Sequence, residues 1–247
     1  MKKTAIIIPA RYGSSRLEGK PLLKVCGKPI IQWVYEKAIQ ATLSDIVIVA
    51  TDDRRIFDCV QSFGGNVEMT STDHKSGSDR IMEVVSRHPE IGYICNLQGD
   101  EPLIKPESID AVIKNVVEDD FADISTLIRE ITPEEAQNPN LVKCVTDING
   151  FALYFSRSKI PYERNIGIAK FYGHLGIYGY KRTALEVMTS NSQTMLEKTE
   201  SLEQLRALEN GMKIKTSVVD FVPVGIDTRE DLEMFRQIVE AGLTKAL

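Results

Sequence analysis

Basic residues near the start of the sequence have the types and spacing of a phosphate-binding loop. Arg11, Arg16 and Lys20 follow one another closely, with Gly13 and Gly19 between them. Arginine forks and a lysine point charge suit phosphate oxygens, and a glycine-rich loop can turn backbone N–H groups toward an anion. The sequence has neither the P-loop pattern nor the glycine fingerprint of dinucleotide-binding folds. We therefore predict a polyphosphate site of another type, with a solvated basic loop as the alternative.

Two aspartates could add a metal site to this loop. Asp100 and Asp227 each follow a strand-like segment, so both are expected at the carboxyl edge of one sheet. Their oxygens suit Mg²⁺, which typically takes one or two carboxylates together with phosphate oxygens and water. Taken singly, Asp100 could instead be a turn residue before Pro102, and Asp227 could be a helix N-cap.

The elements that must position these residues alternate between strands and helices. The apolar run 6–8 predicts a buried strand that ends at Pro9. Further strand patterns lie at 46–50, 67–69 and 93–97, and helical patterns lie at 30–38, 53–60, 80–88 and 106–117. Repeated β-α-β units indicate right-handed crossovers. We predict an α/β fold in which a mostly parallel, Rossmann-like sheet is flanked by helices.

The pattern changes after Phe121. Strand patterns lie at 124–128, 141–145, 152–155, 171–180 and 213–219, and helical patterns lie at 195–210 and 228–239. The second and third of these strands should form a hairpin around Asn149-Gly150, and Gly211 should close the long helix. We interpret residues 130–190 as an antiparallel β insertion within a single domain of residues 1–247. The insertion is expected to cover the site or to make a dimer contact.

Composition narrows the classes of function. Hydrophobic residues make up 43% of the chain and charged residues 26%, as in ordinary soluble globular proteins. The net charge of -5 argues against a nucleic-acid partner, which usually requires a basic surface. We expect no membrane span, and the first apolar run is too short for a signal peptide. The four cysteines are widely spaced, which favours reduced thiols in a cytoplasmic protein.

Seven segments, in order along nearly the whole chain, resemble the 3-deoxy-manno-octulosonate (KDO) cytidylyltransferases. The sequences of these segments are IPARYGSSRLEGKPL at 8–22, DHKSGSDR at 73–80, NLQGDEPL at 96–103, ALYFSR at 152–157, HLGIY at 174–178, ESLEQLR at 200–206 and GIDT at 225–228. One such motif would be weak support for the family, whereas seven in family order are strong support.

The resemblance implies a nucleotidyltransferase sheet and a specific reaction. Such an enzyme transfers CMP from CTP to the anomeric hydroxyl of KDO, and the CMP-KDO product serves lipopolysaccharide biosynthesis. Mg²⁺ would be held by Asp100 and Asp227, and the enzyme would be a homodimer. Lys20, Arg16 and Asp100 would be catalytic. The nucleotide-binding residues would be Pro9, Ala10, Arg11, Arg16, Lys20, Ser76 and Gly77.

The acid sugar needs cationic or hydrogen-bonding partners for its carboxylate and hydroxyl groups. The substrate-binding candidates are Arg80, Gln98, Arg157, His174, Glu203 and Gln204. Most of these have simpler alternatives: an exposed helix residue for Arg80, a core histidine for His174, a surface charge for Arg157 and a polar helix face for the last two.

Two residues depart from the family pattern. Glu18 stands where proline is usual, and a carboxylate there would repel a triphosphate unless it points outward. Gly173 stands where a basic residue often precedes the histidine, which leaves a KDO variant open as the sugar. The remaining alternatives are a cytidylyltransferase for a sialic-acid-like sugar, an enzyme acting on a sugar phosphate, a glycosyltransferase and a non-catalytic nucleotide- or sugar-binding module.

Overall fold

The first apolar run forms a central strand of a parallel sheet. Strand β1 (Lys3–Ala10) lies between β4 (Ile46–Thr51) and β6 (Ile91–Asn96) and is parallel to both. Strand β4 pairs in parallel with β5 (Val67–Met69). The side chains of residues 5–8 have no exposed surface, as expected for a strand covered on both faces. This sheet places the chain segments that follow β1 and β6 at the same edge.

The computed structural model describes residues 2–13, 17–222 and 225–243. The chain divides into two compact units, residues 1–110 with 223–247, and residues 111–222. The second unit therefore includes residues on both sides of the predicted insertion of 130–190.

Helices follow the strands of the first unit, as the alternating pattern predicts. They are α1 (Ile30–Ala38), α2 (Arg54–Ser62), α3 (Gly77–Arg87), the start of α4 (Pro106–Glu118) and α8 (Arg229–Glu240). A 3₁₀ helix (Lys20–Leu22) and the short strands β2 (Lys24–Val25) and β3 (Lys28–Pro29) join β1 to α1. Helix α3 begins three residues earlier than predicted because Ser76 caps it, and Pro29 is the N-cap of α1.

The second unit is mostly antiparallel. Its elements are β7 (Ile124–Ile131), a 3₁₀ helix (Glu135–Gln137), β8 (Lys143–Thr146), β9 (Ala152–Ser156), β10 (Phe171–Lys181), α5 (Arg182–Ser190), α6 (Met195–Glu200), α7 (Gln204–Glu209) and β11 (Ile214–Val218). Strand β10 is antiparallel to β7 and β8, and β11 is parallel to β7. The antiparallel pair β8–β9 confirms the predicted hairpin. The sequence analysis did not predict α5.

The predicted helix 195–210 is wrong, because it is broken into α6 and α7. Ser201 adopts a left-handed conformation with φ of 53°. Leu202 N–H then donates to Glu197 O at 3.2 Å, the bond that ends many helices. Leu202 is buried, and Arg206 of α7 folds back to pair with Glu197 at 2.5 Å. Burial and this ion pair therefore override the helical pattern.

One cluster of the core brings distant parts of the first unit together. Leu17 and Ile226 are buried in the same cluster as Phe235 of α8. This packing draws the loop after β1 toward the segment before α8.

Among the helices of the described residues, none has the length and apolar character required to cross a bilayer.

Candidate active site

Most of the residues predicted to bind the nucleotide line one cleft of the first unit. The cleft has a volume of about 430 Å³ and lies beyond the carboxyl ends of β1 and β6. Its lining residues are Pro9, Ala10, Arg11, Gly13, Lys20, Pro21, Gly77, Gln98, Gly99, Asp100 and Asp227. The parallel sheet and the core cluster thus assemble the cleft from five separate stretches of sequence.

Lys20 joins the two aspartates predicted to bind metal. Its Nζ donates to Oδ2 of Asp100 at 2.6 Å and to Oδ1 of Asp227 at 3.0 Å. The two oxygens are therefore at most 5.6 Å apart, the sum of 2.6 and 3.0 Å. Burial would lower the pKa of the Lys20 ammonium, but the two carboxylates outweigh burial and raise the pKa above its ordinary value.

Backbone and core contacts hold the two aspartates near each other. Ile226 N–H donates to Asp100 O at 2.9 Å. Thr228 is the N-cap of α8, with its Oγ1 accepting from Asp231 N–H at 3.2 Å. The sequence predicts Asp227 or Thr228 as the cap of this helix. Thr228 is confirmed and Asp227 is wrong, because the carboxylate of Asp227 accepts from Lys20 instead.

The aspartate pair could provide two of the ligands of a magnesium ion, with the phosphate oxygens of a bound nucleotide providing others. Across the described ranges 2–13, 17–222 and 225–243, no cluster of three or more histidine, cysteine or acidic side chains could hold a metal. Asp100 and Asp227 nevertheless already share one cation, the ammonium of Lys20, and their side chains remain 30% and 45% exposed. Two accessible carboxylates suit Mg²⁺ when phosphate oxygens and water complete the coordination.

Arg11 presents a buried donor to the cleft. Its Nη2 is buried and has no hydrogen-bond partner within the described part of the chain. An unsatisfied guanidinium nitrogen is costly, and a phosphate oxygen would satisfy it. Gly99 allows a close backbone approach here, because a Cβ atom on it would lie 3.1 Å from Pro9 O, a tight contact. Arg16 lies outside the described residues, so its predicted role stays a prediction.

Arg80 is buried, whereas the alternative predicted from the sequence is an exposed helix residue. The residue is fully buried and is not among the residues that line the cleft. Its Nη2 donates to Asp52 Oδ2 at 2.6 Å, and its Nη1 donates to Thr70 Oγ1. The alternative of an exposed helix residue is wrong, because Arg80 forms an internal ion pair that fixes the loop before Ser76. Its predicted substrate contact stays a prediction. Ser76 itself caps α3, and Gly77 lies against Pro9.

His174 lies on β10 among aromatic residues of the second unit. Its Nε2 is 3.0 Å from Thr126 Oγ1, and its ring centroid is 5.1 Å from that of Phe155 and 5.3 Å from that of Tyr178. Loss of hydration lowers the pKa of His174 to about 3, although part of the residue remains accessible. At neutral pH the imidazole can therefore form a hydrogen bond with a ligand but carries no positive charge.

Arg157 is engaged with the backbone of its own unit. Its Nε donates to Glu200 O at 2.7 Å, and its N–H donates to Glu200 Oε2 at 2.9 Å. Lys143, which is fully buried, donates from Nζ to Arg157 O at 2.5 Å. The alternative that Arg157 is a simple surface charge is therefore wrong, because its guanidinium helps to hold the turn between α6 and α7.

Glu203 and Gln204 lie where α7 begins. Gln204 is only 6% exposed, and its Nε2 is buried without a hydrogen-bond partner among the residues that the structure describes. An amide donor in this state marks a position where a ligand oxygen could bind. The alternative of a solvated polar face is wrong for Gln204, while Glu203 is half-buried.

The two departures from the family pattern have local explanations. Glu18 is exposed, so its carboxylate can point away from the cleft. A Cβ atom on Gly173 would lie 3.0 Å from Ile131 Cγ2 and 3.1 Å from Leu141 Cδ1. A larger side chain at 173 would require these side-chain methyl groups to shift by a few tenths of an ångström.

Sequence analysis missed two candidate residues of these regions. Burial, together with the adjacent Asp100, raises the pKa of Glu101 to about 7. Burial also raises the pKa of Tyr178 well above its ordinary value, with Tyr180 and Glu203 contributing. Glu101 is adjacent to Asp100 in the sequence, and this adjacency could have identified it. Tyr178 follows His174 by an even number of strand residues, a spacing that favours one face.

Known proteins match this sequence over nearly the whole chain. The family described as Cytidylyltransferase matches residues 5–214. The chain is 50% identical to a 3-deoxy-manno-octulosonate cytidylyltransferase of Thermodesulfovibrio yellowstonii, over 94% of this chain and 96% of the relative. It is 45% identical to the Escherichia coli protein of the same name, over 99% of both chains.

A solved structure extends this similarity to the fold. It is described as CMP:2-keto-3-deoxy-manno-octonic acid synthetase complexed with CTP, and it matches with a TM-score of 0.94 at 45% identity. The match covers 97% of this chain and 99% of the other. The predicted mostly parallel sheet flanked by helices, with antiparallel strands added, is thereby confirmed.

Proposed function

We propose a function from one premise: the chain belongs to the cytidylyltransferase family, as its sequence motifs predict. It transfers CMP from CTP to the anomeric hydroxyl of KDO, giving CMP-KDO and pyrophosphate. The observation that carries this proposal is the convergence of Arg11, Lys20, Asp100 and Asp227 on one cleft at the strand ends. Three of these side chains already interact, and the fourth, Arg11, has a buried donor with no hydrogen-bond partner in the described ranges of the chain.

The reaction requires charge neutralisation more than covalent help from the protein. The anomeric oxygen attacks the α-phosphorus in line and forms a new P–O bond. The bond from that phosphorus to the bridging oxygen breaks, and pyrophosphate leaves with the electron pair while the hydroxyl loses its proton. Arg11 and Lys20 neutralise charge on the phosphates and on the leaving group, and we assign Arg16 the same role. Pro9, Ala10, Ser76 and Gly77 would hold the nucleoside end of CTP.

Asp100 and Asp227 would hold the magnesium ion of this reaction. When bound, Mg²⁺ supplies positive charge at the α-phosphate and lowers the pKa of a coordinated hydroxyl. A metal ion held by these same two oxygens would compete with the Lys20 ammonium, which donates to both of them. A triphosphate in the cleft gives that ammonium an alternative partner.

The proposed sugar-binding roles rest on the hydrogen-bonding capacity and charge of the side chains. Gln98 lines the cleft of the first unit. In the second unit, Gln204 Nε2 has no hydrogen-bond partner among the described residues, and the imidazole of His174 is neutral. Both favour hydrogen bonding to sugar hydroxyl or carboxyl groups. We propose Glu203 beside them for a hydroxyl, and Arg157 as the cationic partner of the carboxylate.

Family membership also leads us to propose a cytoplasmic homodimer that supplies CMP-KDO for lipopolysaccharide. Exposed apolar side chains of the second unit support an interface between copies of the chain. Four of them lie within residues 153–168: Leu153 at 62%, Tyr162 at 89%, Ile166 at 92% and Ile168 at 75% exposed. Sedimentation of the purified protein at several concentrations tests this, and a monomer throughout would contradict it.

Pyrophosphate release from CTP, with and without KDO, tests the proposed function. We expect release only when CTP, KDO and Mg²⁺ are all present. The same assay with sialic acid or a sugar phosphate in place of KDO tests the related sugars. Tight binding of CTP without any release under these conditions would favour a non-catalytic module.

A further inference from the structure

A contact outside the cleft fixes the two ends of the phosphate-binding loop. The guanidinium of Arg55 on α2 lies over the ring of Tyr12, with 3.3 Å between Arg55 Cζ and the ring centroid. A Cβ atom placed on Gly19 would lie 3.1 Å from ring carbons of the same tyrosine. The ring of Tyr12 therefore contacts both Arg55 and Gly19, the residue that directly precedes Lys20.

The two ends of the loop are also joined through the backbone. Gly19 N–H donates to Tyr12 O at 2.9 Å, and Gly19 has φ of 66°, a conformation that favours glycine. The 3₁₀ helix that carries Lys20 starts at the next residue. Arg11, whose buried Nη2 finds no partner in the part of the chain that the structure describes, immediately precedes Tyr12. A displacement of Tyr12 would therefore move both phosphate-binding side chains.

Arg55 is itself held in place. Its Nε donates to Asp53 Oδ1 at 3.0 Å, and its Nη2 donates to Asp53 Oδ2 at 2.7 Å. The same carboxylate caps α2 by accepting from Arg55 N–H at 2.9 Å. This two-pronged arrangement fixes the plane of the guanidinium, although 58% of the Arg55 side chain is exposed. A helix end thus presents an oriented cation to Tyr12.

We propose that Arg55 is a positioning residue for CTP, acting through its stacking contact with Tyr12. The proposal rests on the proposed function of the cleft. Among the described residues, those that line the cleft do not include Arg55, and its contact with the loop is through Tyr12. Stacking keeps Arg11 and Lys20 at the spacing that the triphosphate requires. Loss of the stack affects the binding of CTP and leaves the binding of the sugar unchanged.

Steady-state kinetics with a matched neighbour as control test this role. Arg55→Ala removes the stack, while Arg54→Ala removes an arginine of the same helical turn that pairs with Asp58 and lies over Phe57. We expect Arg55→Ala to raise KM for CTP by about two- to fivefold, the range for an exposed cation–aromatic contact. KM for KDO, kcat and the melting temperature should match those of Arg54→Ala. Arg55→Lys keeps a cation near the ring and should restore part of the affinity.

A double-mutant cycle separates the stack from a general effect on the helix. Tyr12→Ala and the Tyr12→Ala/Arg55→Ala double variant should bind CTP equally weakly, because the first change already removes the contact. Equal KM values for Arg55→Ala and Arg54→Ala, or fully additive effects of Tyr12→Ala and Arg55→Ala, would overturn the proposal. Calorimetry with CTP alone distinguishes failure of the Arg55 proposal from failure of the proposed function. A wild-type protein that binds no CTP would contradict the proposed function itself.

Discussion

Replacing Lys20 by methionine should change catalysis and metal binding in opposite directions. Lys20 donates to Asp100 at 2.6 Å and to Asp227 at 3.0 Å, so it holds the pair of carboxylates that a metal ion needs. Methionine keeps much of the length of the side chain and removes the charge. The variant therefore loses a partner of the triphosphate and removes the ammonium from both carboxylates.

The structure sets the size of both effects. A charge-assisted hydrogen bond to phosphate contributes about 1.5–3 kcal/mol, so kcat/KM for CTP should fall about ten- to a hundredfold. The two ammonium–carboxylate contacts are partly exposed, and each is expected to contribute about 0.2–1 kcal/mol. Removal of both should strengthen the binding of a divalent cation to the nucleotide-free protein by about two- to thirtyfold.

Mn²⁺ binding, followed by electron paramagnetic resonance without nucleotide, measures the second effect apart from turnover. Lys24→Met is the matched control, because Lys24 is an exposed lysine that follows the same 3₁₀ helix. Asp227→Asn in the Lys20→Met background should abolish the gained affinity. Unchanged Mn²⁺ affinity in Lys20→Met, or a gain that survives Asp227→Asn, would refute the reasoning that Lys20 competes with the metal.

Three further predictions concern pH, the sugar and the nucleotide. His174 has its pKa lowered to about 3 by burial, so the unfolded chain binds more protons below about pH 6.5, and stability should fall as the pH drops from about 6.5 toward 3. The melting temperature of His174→Gln should fall less steeply over that range, and identical slopes would contradict the burial of a neutral ring. Gln204→Leu fills the same space without the unpaired donor and should raise KM for KDO while leaving KM for CTP unchanged; an unaltered KM for KDO would remove Gln204 from the sugar site. If backbone groups near Pro9 and the loop that ends at Gly77 select cytosine, initial rates with UTP, ATP and GTP should be far below the rate with CTP, and equal rates with UTP would exclude that selectivity.

The sequence predicted best those features that depend on local patterns. The buried run of β1, the strand–helix alternation and the hairpin β8–β9 follow from residue type and spacing alone. The aspartates that converge at the sheet edge were also predictable, because parallel strands end at the same edge.

Features that depend on tertiary packing were not predictable in this way. Nothing in the spacing shows that Arg80 becomes fully buried, because its partners Asp52 and Thr70 come from other segments. The break at Ser201 needs a left-handed serine and a buried ion pair that reaches across the turn. The ammonium of Lys20 between two aspartates likewise arises from packing of segments far apart in sequence.

The fate of the α-phosphorus tests the central claim most directly. CTP labelled at that phosphorus is incubated with KDO, Mg²⁺ and either the wild-type protein or Asp227→Asn, and the sugar product is isolated. We expect the label to pass to the sugar as a phosphodiester, in equal amount to the pyrophosphate released, and we expect Asp227→Asn to transfer almost none while remaining folded. Label that remains in CTP, or that appears as free CMP without a sugar product, would contradict transfer of CMP by this cleft.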